Sequence, residues 1–138
     1  MRKPGPILTR VSSFLRDSRG VATIEFAFIF VAFIMSVMGI LEYSRALWVR
    51  STLQHAADET AHYAMIHTGA TEAQLIAYAK QEATALDAGG VAVTVTWDTS
   101  GGTNFVTIVT NYQVGLAVPF ISNTLLTLTG RARVPQIS

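Results

Sequence analysis

One acidic residue, Glu25, stands near the start of a long apolar stretch, Val21–Leu41. A carboxylate in apolar surroundings costs free energy unless a positive charge or hydrogen-bond donors lie close to it. If the stretch is helical, the free N–H groups and the positive dipole end of its first turn favour the charge. Glu25 is therefore the first candidate for a functional contact. The simpler alternative is a carboxylate that lies at the edge of the apolar layer without a role.

A second candidate group lies further along the chain, where His55, Glu59 and His62 are spaced four and three residues apart. This spacing puts the three side chains on one face of a helix, and imidazole and carboxylate groups are common metal ligands. No further ligand is evident in the sequence. A solvated polar face is therefore the favoured interpretation, and we expect no metal site.

Two basic residues near the end of the chain, Arg131 and Arg133, would share one face of a strand. They could contact a partner or a phosphate, but charged residues more commonly protect an exposed strand edge from unwanted pairing. The sequence contains no phosphate-binding loop, no G-x-S-x-G motif, no dinucleotide-binding fingerprint and no cysteine. We therefore expect no catalytic residues, no cofactor, no small-molecule substrate and no enzyme activity.

The composition is poor in charge and its charges are unevenly distributed. Hydrophobic residues make up 50% of the 138 residues and charged residues 14%, whereas about a quarter of an average globular protein is charged. The basic leader, residues 1–20, contains five Lys or Arg and one Asp, a net charge of +4. The remainder contains five Lys or Arg and eight Asp or Glu, a net charge of −3. These features indicate a membrane protein whose leader suits anionic lipid better than nucleic acid.

The apolar stretch Val21–Leu41 would be about 31 Å long as a helix, close to the roughly 30 Å of a bilayer's hydrocarbon layer. Twelve of its residues are Val, Ile, Leu or Phe, and together they favour insertion more than one acidic residue near the end opposes it. The excess of basic residues before the stretch places the N-terminus in the cytoplasm and the rest of the chain outside. A cleavable secretory signal fits poorly, because its apolar region would be shorter.

The helical pattern continues beyond the apolar stretch without Gly or Pro until Gly69, which we expect to cap the helix. Small and medium-sized residues recur at spacings of three and four and predict a packing face: Ala46, Val49, Leu53, Ala56, Thr60, Tyr63 and His67. We predict one helical rod from about Val21 to His67, in which residues 42–69 form an amphipathic extension outside the membrane.

The last part of the chain, residues 70–138, predicts a small α+β head. Thr71 and Gln74 have the spacing of a capping box and would open a second helix from about Glu72 to Leu86. Alternating residues then predict an antiparallel sheet of about three strands, with a turn at Asp98–Asn104 and a break at Pro119. The expected apolar faces are Val91, Val93, Val95 and Trp97, then Val106, Ile108, Tyr112 and Val114, then Leu126, Leu128, Ala132 and Val134. A helix should lie across this face.

Gly20, followed by Glu25 and Phe26, has the form G-x-x-x-x-E-F at the entrance of an apolar helix. This arrangement resembles the processing site of type IV prepilins, and more closely that of the TadE-like pseudopilins of the tight-adherence (Flp) pilus. The basic leader, the membrane rod and the short head are similar to those proteins as well. The resemblance implies that prepilin peptidase acts at Arg19, Gly20 and Val21 and cuts after Gly20, so that Glu25 becomes the fifth residue of the mature chain.

Such a cut would create a positive α-amino group at Val21, about one helical turn from Glu25. We expect Glu25, with Phe26 beside it, to pair with a mature N-terminus, its own or that of a neighbouring subunit, and so to guide assembly with other pilins and pseudopilins. The resemblance implies a protein of the bacterial inner membrane that enters a surface pilus or stays at its base. The alternative is an uncleaved single-pass anchor with an extracytoplasmic binding domain.

Overall fold

The computed structural model describes residues 18–87, 89–115 and 125–136. Two helices and three strands follow one another in these residues: α1 Ser18–Ile66, α2 Glu72–Glu82, β1 Val91–Ser100, β2 Thr103–Gly115 and β3 Leu125–Pro135. The predicted α+β arrangement, with a long N-terminal helix, a second helix and three antiparallel strands, is confirmed. Residues 1–17 of the leader and the predicted break at Pro119 lie outside the described residues.

Helix α1 is 49 residues long and begins three residues before the predicted start at Val21. Its residues fall into two compact units, one that ends at Gly39 and one that begins at Ile40. In the first unit, every described side chain from Gly20 onward is exposed except that of Met38, which is half-buried. Among the described residues, the apolar side chains of this part of the helix therefore pack against no buried core.

In the second unit, one face of α1 is buried by the sheet and α2. No Gly or Pro interrupts the helix between Ile40 and its end at Ile66, which allows a continuous hydrogen-bond ladder. The buried positions recur at spacings of three and four: Val49, Leu53, Ala56, Ala57, Thr60, Ala61 and Ala64. The predicted packing face is confirmed from Val49 to Thr60, and a second row of three alanines widens it. These small side chains let the sheet approach the helix closely.

Two predictions about helix ends are wrong. Gly69 does not cap α1: the helix ends at Ile66, and Gly69 lies in a turn in which the Ala70 N–H donates to the carbonyl oxygen of His67 at 2.9 Å. Helix α2 ends at Glu82 rather than at Leu86. The turns that follow α2 still bury Ala83 and Leu86, so the apolar stripe seen in the sequence continues past the end of the helix.

The start of α2 is confirmed in detail. Thr71 is the N-cap, its hydroxyl accepts from the Gln74 N–H at 3.4 Å, and the Gln74 side chain accepts from the Thr71 N–H at 2.9 Å. This reciprocal pair satisfies two N–H groups that a helix start otherwise leaves free. Leu75 and Ala79 then lie one turn apart and are buried, which attaches α2 to the rest of the second unit.

The sheet has the strand order β1-β2-β3, and both neighbouring pairs are antiparallel. The turn between β1 and β2 is shorter than the predicted Asp98–Asn104, because the strands pair up to Ser100 and Thr103. Only Gly101 and Gly102 remain in the turn, with φ of +58° and +79°. Two successive positive φ values suit a two-residue hairpin between twisted strands and favour glycine at both positions.

The inner face of the sheet carries most of the predicted apolar residues. The fully or nearly buried ones are Val91, Val95, Val106, Ile108, Val114 and Ala132. Trp97 and Leu126 are exceptions, because they lie toward opposite ends of the sheet and remain 46% and 39% exposed. The face therefore packs well along its middle but leaves its largest aromatic residue accessible to solvent.

Helix α1 crosses the sheet at β2 and β3, where three residues bring the two layers together. A Cβ atom on Gly130 would lie 2.5 Å from the carbonyl carbon and oxygen of Leu53. Beside it, the buried Thr110 hydroxyl donates to the Leu53 carbonyl oxygen at 2.9 Å. This crossing point fixes which part of the helix lies over which part of the sheet.

Candidate processing and assembly site

The three residues predicted for processing, Arg19, Gly20 and Val21, lie in the first turn of α1. Gly20 is exposed, and apart from its chain neighbours and the adjacent helix backbone, no atom of the described residues lies within 4 Å of the position that a Cβ would occupy there. Val21 is also exposed. The peptide bond after Gly20 thus lies in the first turn of α1, where a helix frays most easily because its first N–H groups have no partner in the helix.

Glu25 follows Val21 by four residues, so the two lie on the same side of the helix about one turn apart. Its side chain is exposed and, in the part of the chain that the structure describes, makes no ion pair and no hydrogen bond. The neighbouring surface is apolar. The carboxylate is therefore available for a partner that is not part of the described fold.

Phe26 lies next to Glu25 but points to a different side of the helix, because adjacent residues are about 100° apart. Its ring stacks with that of Phe30, with centroids 6.0 Å apart and planes 23° apart. A shallow apolar groove on the same unit is lined by Ile24, Ala27, Phe28 and Val31. These features form a surface suited to apolar contact, and the structure does not bring Phe26 and Glu25 together in one contact.

The helix that carries these residues is apolar enough to cross a membrane. Its most apolar 18-residue window has a mean hydropathy of 2.5 and none of it is buried in the protein. Among the described residues, α1 is the one helix with this length and composition. These properties are consistent with a membrane-anchored protein.

The comparison with protein families returned a match in this part of the chain. The family described as TadE-like protein matches residues 20–62. Residues 20–62 are TadE-like. The resemblance to TadE-like proteins is thereby confirmed for this segment. Comparisons with curated proteins and with solved structures gave no match.

The TadE-like segment begins at Gly20 and ends at His62. It therefore contains Glu25, Phe26 and the helix face from Val49 to Thr60 that the sheet covers. Helix α2 and the three strands lie outside it. The family match and the candidate site thus coincide on α1.

The possible metal ligands on α1 are not gathered into a site. His55 and His62 are exposed and Glu59 is half-buried, and the described residues contain no group of three His, Cys, Asp or Glu side chains that could hold a metal ion. His55 instead borders an open polar groove together with Leu47, Arg50, Ser51, Gln54 and Asp58. This arrangement is that of a solvated helix face.

The two arginines of β3 differ in their contacts. The Arg133 guanidinium forms an ion pair with Asp98 and lies 4.2 Å from the centroid of the Phe105 ring. The backbone of Arg131 is bound by Gln54: the Arg131 N–H donates to Oε1 at 3.1 Å, and Nε2 donates to the Arg131 carbonyl oxygen at 2.9 Å. Both residues therefore have roles within the fold, and neither contact was foreseen from the sequence.

An aromatic stack joins α1 to α2. The ring of Tyr63 lies between those of His67 and Tyr78, with centroid distances of 4.0 Å and 4.6 Å. Burial, followed by the negative charges of Glu82 and Glu59, raises the pKa of Tyr78 above its usual value. The phenol of Tyr78 is thereby favoured in its neutral form.

Proposed function

We propose that this chain is a pseudopilin, or minor pilin, that prepilin peptidase processes after Gly20 for assembly of a tight-adherence pilus. The observation that carries the proposal is the placement of Gly20 and Glu25 at the start of an exposed apolar helix, within the TadE-like segment. The chain acts by assembly rather than by catalysis. Its partners are the peptidase, membrane lipid and other pilins or pseudopilins.

The apolar part of α1 holds the protein in the inner membrane before assembly. The basic leader keeps the N-terminus in the cytoplasm, and the head lies outside. Glycine is an unfavourable helix residue, by about 1 kcal/mol relative to alanine. Local unwinding around Gly20 therefore costs little, and a protease needs an extended backbone rather than a helical one.

Cleavage supplies a positive charge with which Glu25 can pair. The new α-amino group at Val21 is positive at neutral pH, and its own Glu25 lies one turn away. In an apolar layer, an unpaired carboxylate and an unpaired amine are each costly, so pairing them within or between subunits lowers the free energy of the assembled state. The pair then sets how far one helix is shifted along its neighbour.

The decisive experiment is N-terminal sequencing of the protein extracted from membranes of cells with and without the prepilin peptidase. We expect a mature chain that starts at Val21 in the first strain and a chain that starts at Met1 in the second. A chain that starts at Met1 in both strains would contradict processing and support the uncleaved single-pass anchor with a binding head.

A further inference from the structure

One end of the sheet lies toward the start of the second unit, where α1 leaves its apolar stretch. Val114 near the end of β2 packs in one cluster with Val49 and Leu53 of α1. Val106, near the start of β2, packs instead with Ala57 and other residues later in α1. The end of the sheet that contains Gly115 and Leu125 therefore points back along α1, toward Ile40 and Leu41.

The position of this end of the sheet along α1 follows from the crossing point of helix and sheet. Gly130 lies against the backbone of Leu53, and Leu125 precedes Gly130 by five residues, up to about 16 Å of extended strand. Helix α1 rises by about 15 Å between Tyr43 and Leu53. The first residues of β3 consequently reach back toward the level of Tyr43, only two residues beyond the apolar stretch.

The side chains at this level are apolar and exposed in the described structure. They are Tyr43, Leu47 and Trp48 on α1, and Leu125 and Leu126 on β3, and we call them the membrane-proximal surface. Leu125 is 63% exposed although it sits in a strand. Helix side chains lean toward the N-terminus of their helix, so those of Leu47 and Trp48 lean toward Ile40 and Leu41.

We propose that the membrane-proximal surface rests in the headgroup layer of the bilayer. The proposal rests on the proposed function in one respect, namely that α1 crosses the membrane. The surface continues the exposed apolar run that ends at Ile40 and Leu41. The headgroup layer on each side is about 5 to 7 Å thick, which matches the height of Tyr43 and of the inclined Trp48 side chain.

The chemistry of the surface favours lipid over a protein partner. Trp and Tyr are enriched at membrane–water interfaces, where one end of the ring is in apolar and the other in wet surroundings. Arg45, at the same level, has a 54% exposed side chain that can reach lipid phosphates. Glu42 is turned toward the protein, with a 15% exposed side chain and its carboxylate 3.8 Å from Arg45. The exposed charge at this level is thus positive.

The two tryptophans of the chain provide an internal control. Trp48 belongs to the membrane-proximal surface, and Trp97 lies at the opposite end of the sheet, paired with Val106 close to the hairpin. They are 52% and 46% exposed, so in the absence of lipid a soluble quencher should reach both. The full-length chain is reconstituted as the Trp48→Phe variant and as the Trp97→Phe variant. The vesicles contain phosphatidylethanolamine and phosphatidylglycerol with a small share of lipid that is spin-labelled at the headgroup.

A third variant places the fluorescent indole on the sheet itself. It combines Trp48→Phe, Trp97→Phe and Leu125→Trp, and its single indole stands at the start of β3. We expect the labelled lipid to quench this indole and that of Trp48 several-fold more strongly than that of Trp97. Acrylamide added to the water should quench Trp97 more strongly than it quenches the other two indoles.

Quenching of the Leu125→Trp indole no stronger than that of Trp97 would overturn the proposal. If this indole were also shielded from acrylamide, a protein partner or a second copy would cover the surface.

Extraction with alkaline carbonate separates the two proposals. A chain that stays in the membrane while lipid fails to quench the indole contradicts the lipid contact alone. A chain that is extracted contradicts the membrane span as well. Circular dichroism of each variant checks that the fold is retained.

Discussion

The hydroxyl of Thr110 on β2 donates a hydrogen bond to the carbonyl oxygen of Leu53 on α1 at 2.9 Å. Both residues are fully buried, and a helix carbonyl that already accepts from the N–H four residues later retains a second lone pair for this bond. Gly130 of β3 lies against the same carbonyl group. The bond therefore marks a place of close approach between helix and sheet, and the first predictions concern it.

Substitution of Gly130 by alanine should destabilise the head strongly. Its Cβ would lie 2.5 Å from backbone atoms of Leu53 and 2.7 Å from the Gln54 nitrogen, and backbone cannot move aside as a side-chain end can. Forcing atoms into a packed contact costs about 1 to 3 kcal/mol. Chemical denaturation in detergent micelles measures the loss. Gly115→Ala is the matched control, because no atom of the described residues other than its chain neighbours lies within 4 Å of its Cβ position. An equal loss in both variants would contradict this explanation.

The substitution Gln54→Ala should loosen the outer edge of β3. The Gln54 amide makes two hydrogen bonds to the backbone of Arg131, and a typical bond contributes about 0.5 to 1.5 kcal/mol. We expect a destabilisation of about 1 to 2 kcal/mol and faster hydrogen exchange at the Arg131 amide. Replacement of the exposed His55 by alanine serves as the control. An unchanged exchange rate at Arg131 in Gln54→Ala would mean that the two bonds do not protect this edge.

Glu25→Gln should block assembly while leaving processing and folding intact. The variant keeps the size of the side chain but removes the charge that is proposed to pair with the mature N-terminus at Val21. Recovery of the mature chain with other pilins, by co-purification from membranes, should fall by about tenfold if one charged contact of roughly 1.4 kcal/mol is lost. Glu59→Gln, a charge removal on the half-buried part of the same helix, is the control. Normal recovery of Glu25→Gln would rule out the charge pair.

The stability of the head should fall at alkaline pH because of Tyr78. Its pKa in the folded protein is raised above the usual value of 10.0, first by burial and then by the charges of Glu82 and Glu59. Above pH 10 the unfolded chain loses the tyrosine proton before the folded chain does, so the free energy of unfolding decreases with rising pH until the folded pKa is passed. The contribution of the neutral Tyr78 phenol to the free energy of unfolding is fully present below pH 10.

Comparison of the wild-type protein with Tyr78→Phe isolates the contribution of this phenol. Denaturation curves between neutral pH and about pH 11 should show a steeper alkaline loss in the wild type than in the variant, since phenylalanine has no proton to lose. The difference in the free energy of unfolding between the two proteins at neutral pH measures the other contacts of the hydroxyl. Parallel curves over the whole range would contradict the raised pKa.

Local patterns sufficed for several elements. The sequence segment predicted for the third strand coincides with β3, Leu125–Pro135, because strict alternation records which side chains face the core. The capping box at Thr71 and Gln74 formed as expected, since both partners lie within one turn. Two local predictions were wrong, namely the end of α2 and the length of the hairpin turn. Ala83 and Leu86 are buried although they lie past the end of α2. The hairpin turn is shorter than predicted because Ser100 pairs with Thr103.

The sequence alone was enough to predict the apolar helix, its acidic residue one turn after Val21, and the order of helices and strands, because each of these depends on residues that are close neighbours in the chain. Tertiary structure alone decided the roles of Thr110, Gln54 and Gly130. The partners of Thr110 and Gln54 lie 57 and 77 positions away, and a threonine or glutamine in a strand or helix carries no sign of such a partner. A glycine inside a strand ordinarily weakens that strand. In the folded head, Gly130 is the position where a side chain would collide with the helix backbone.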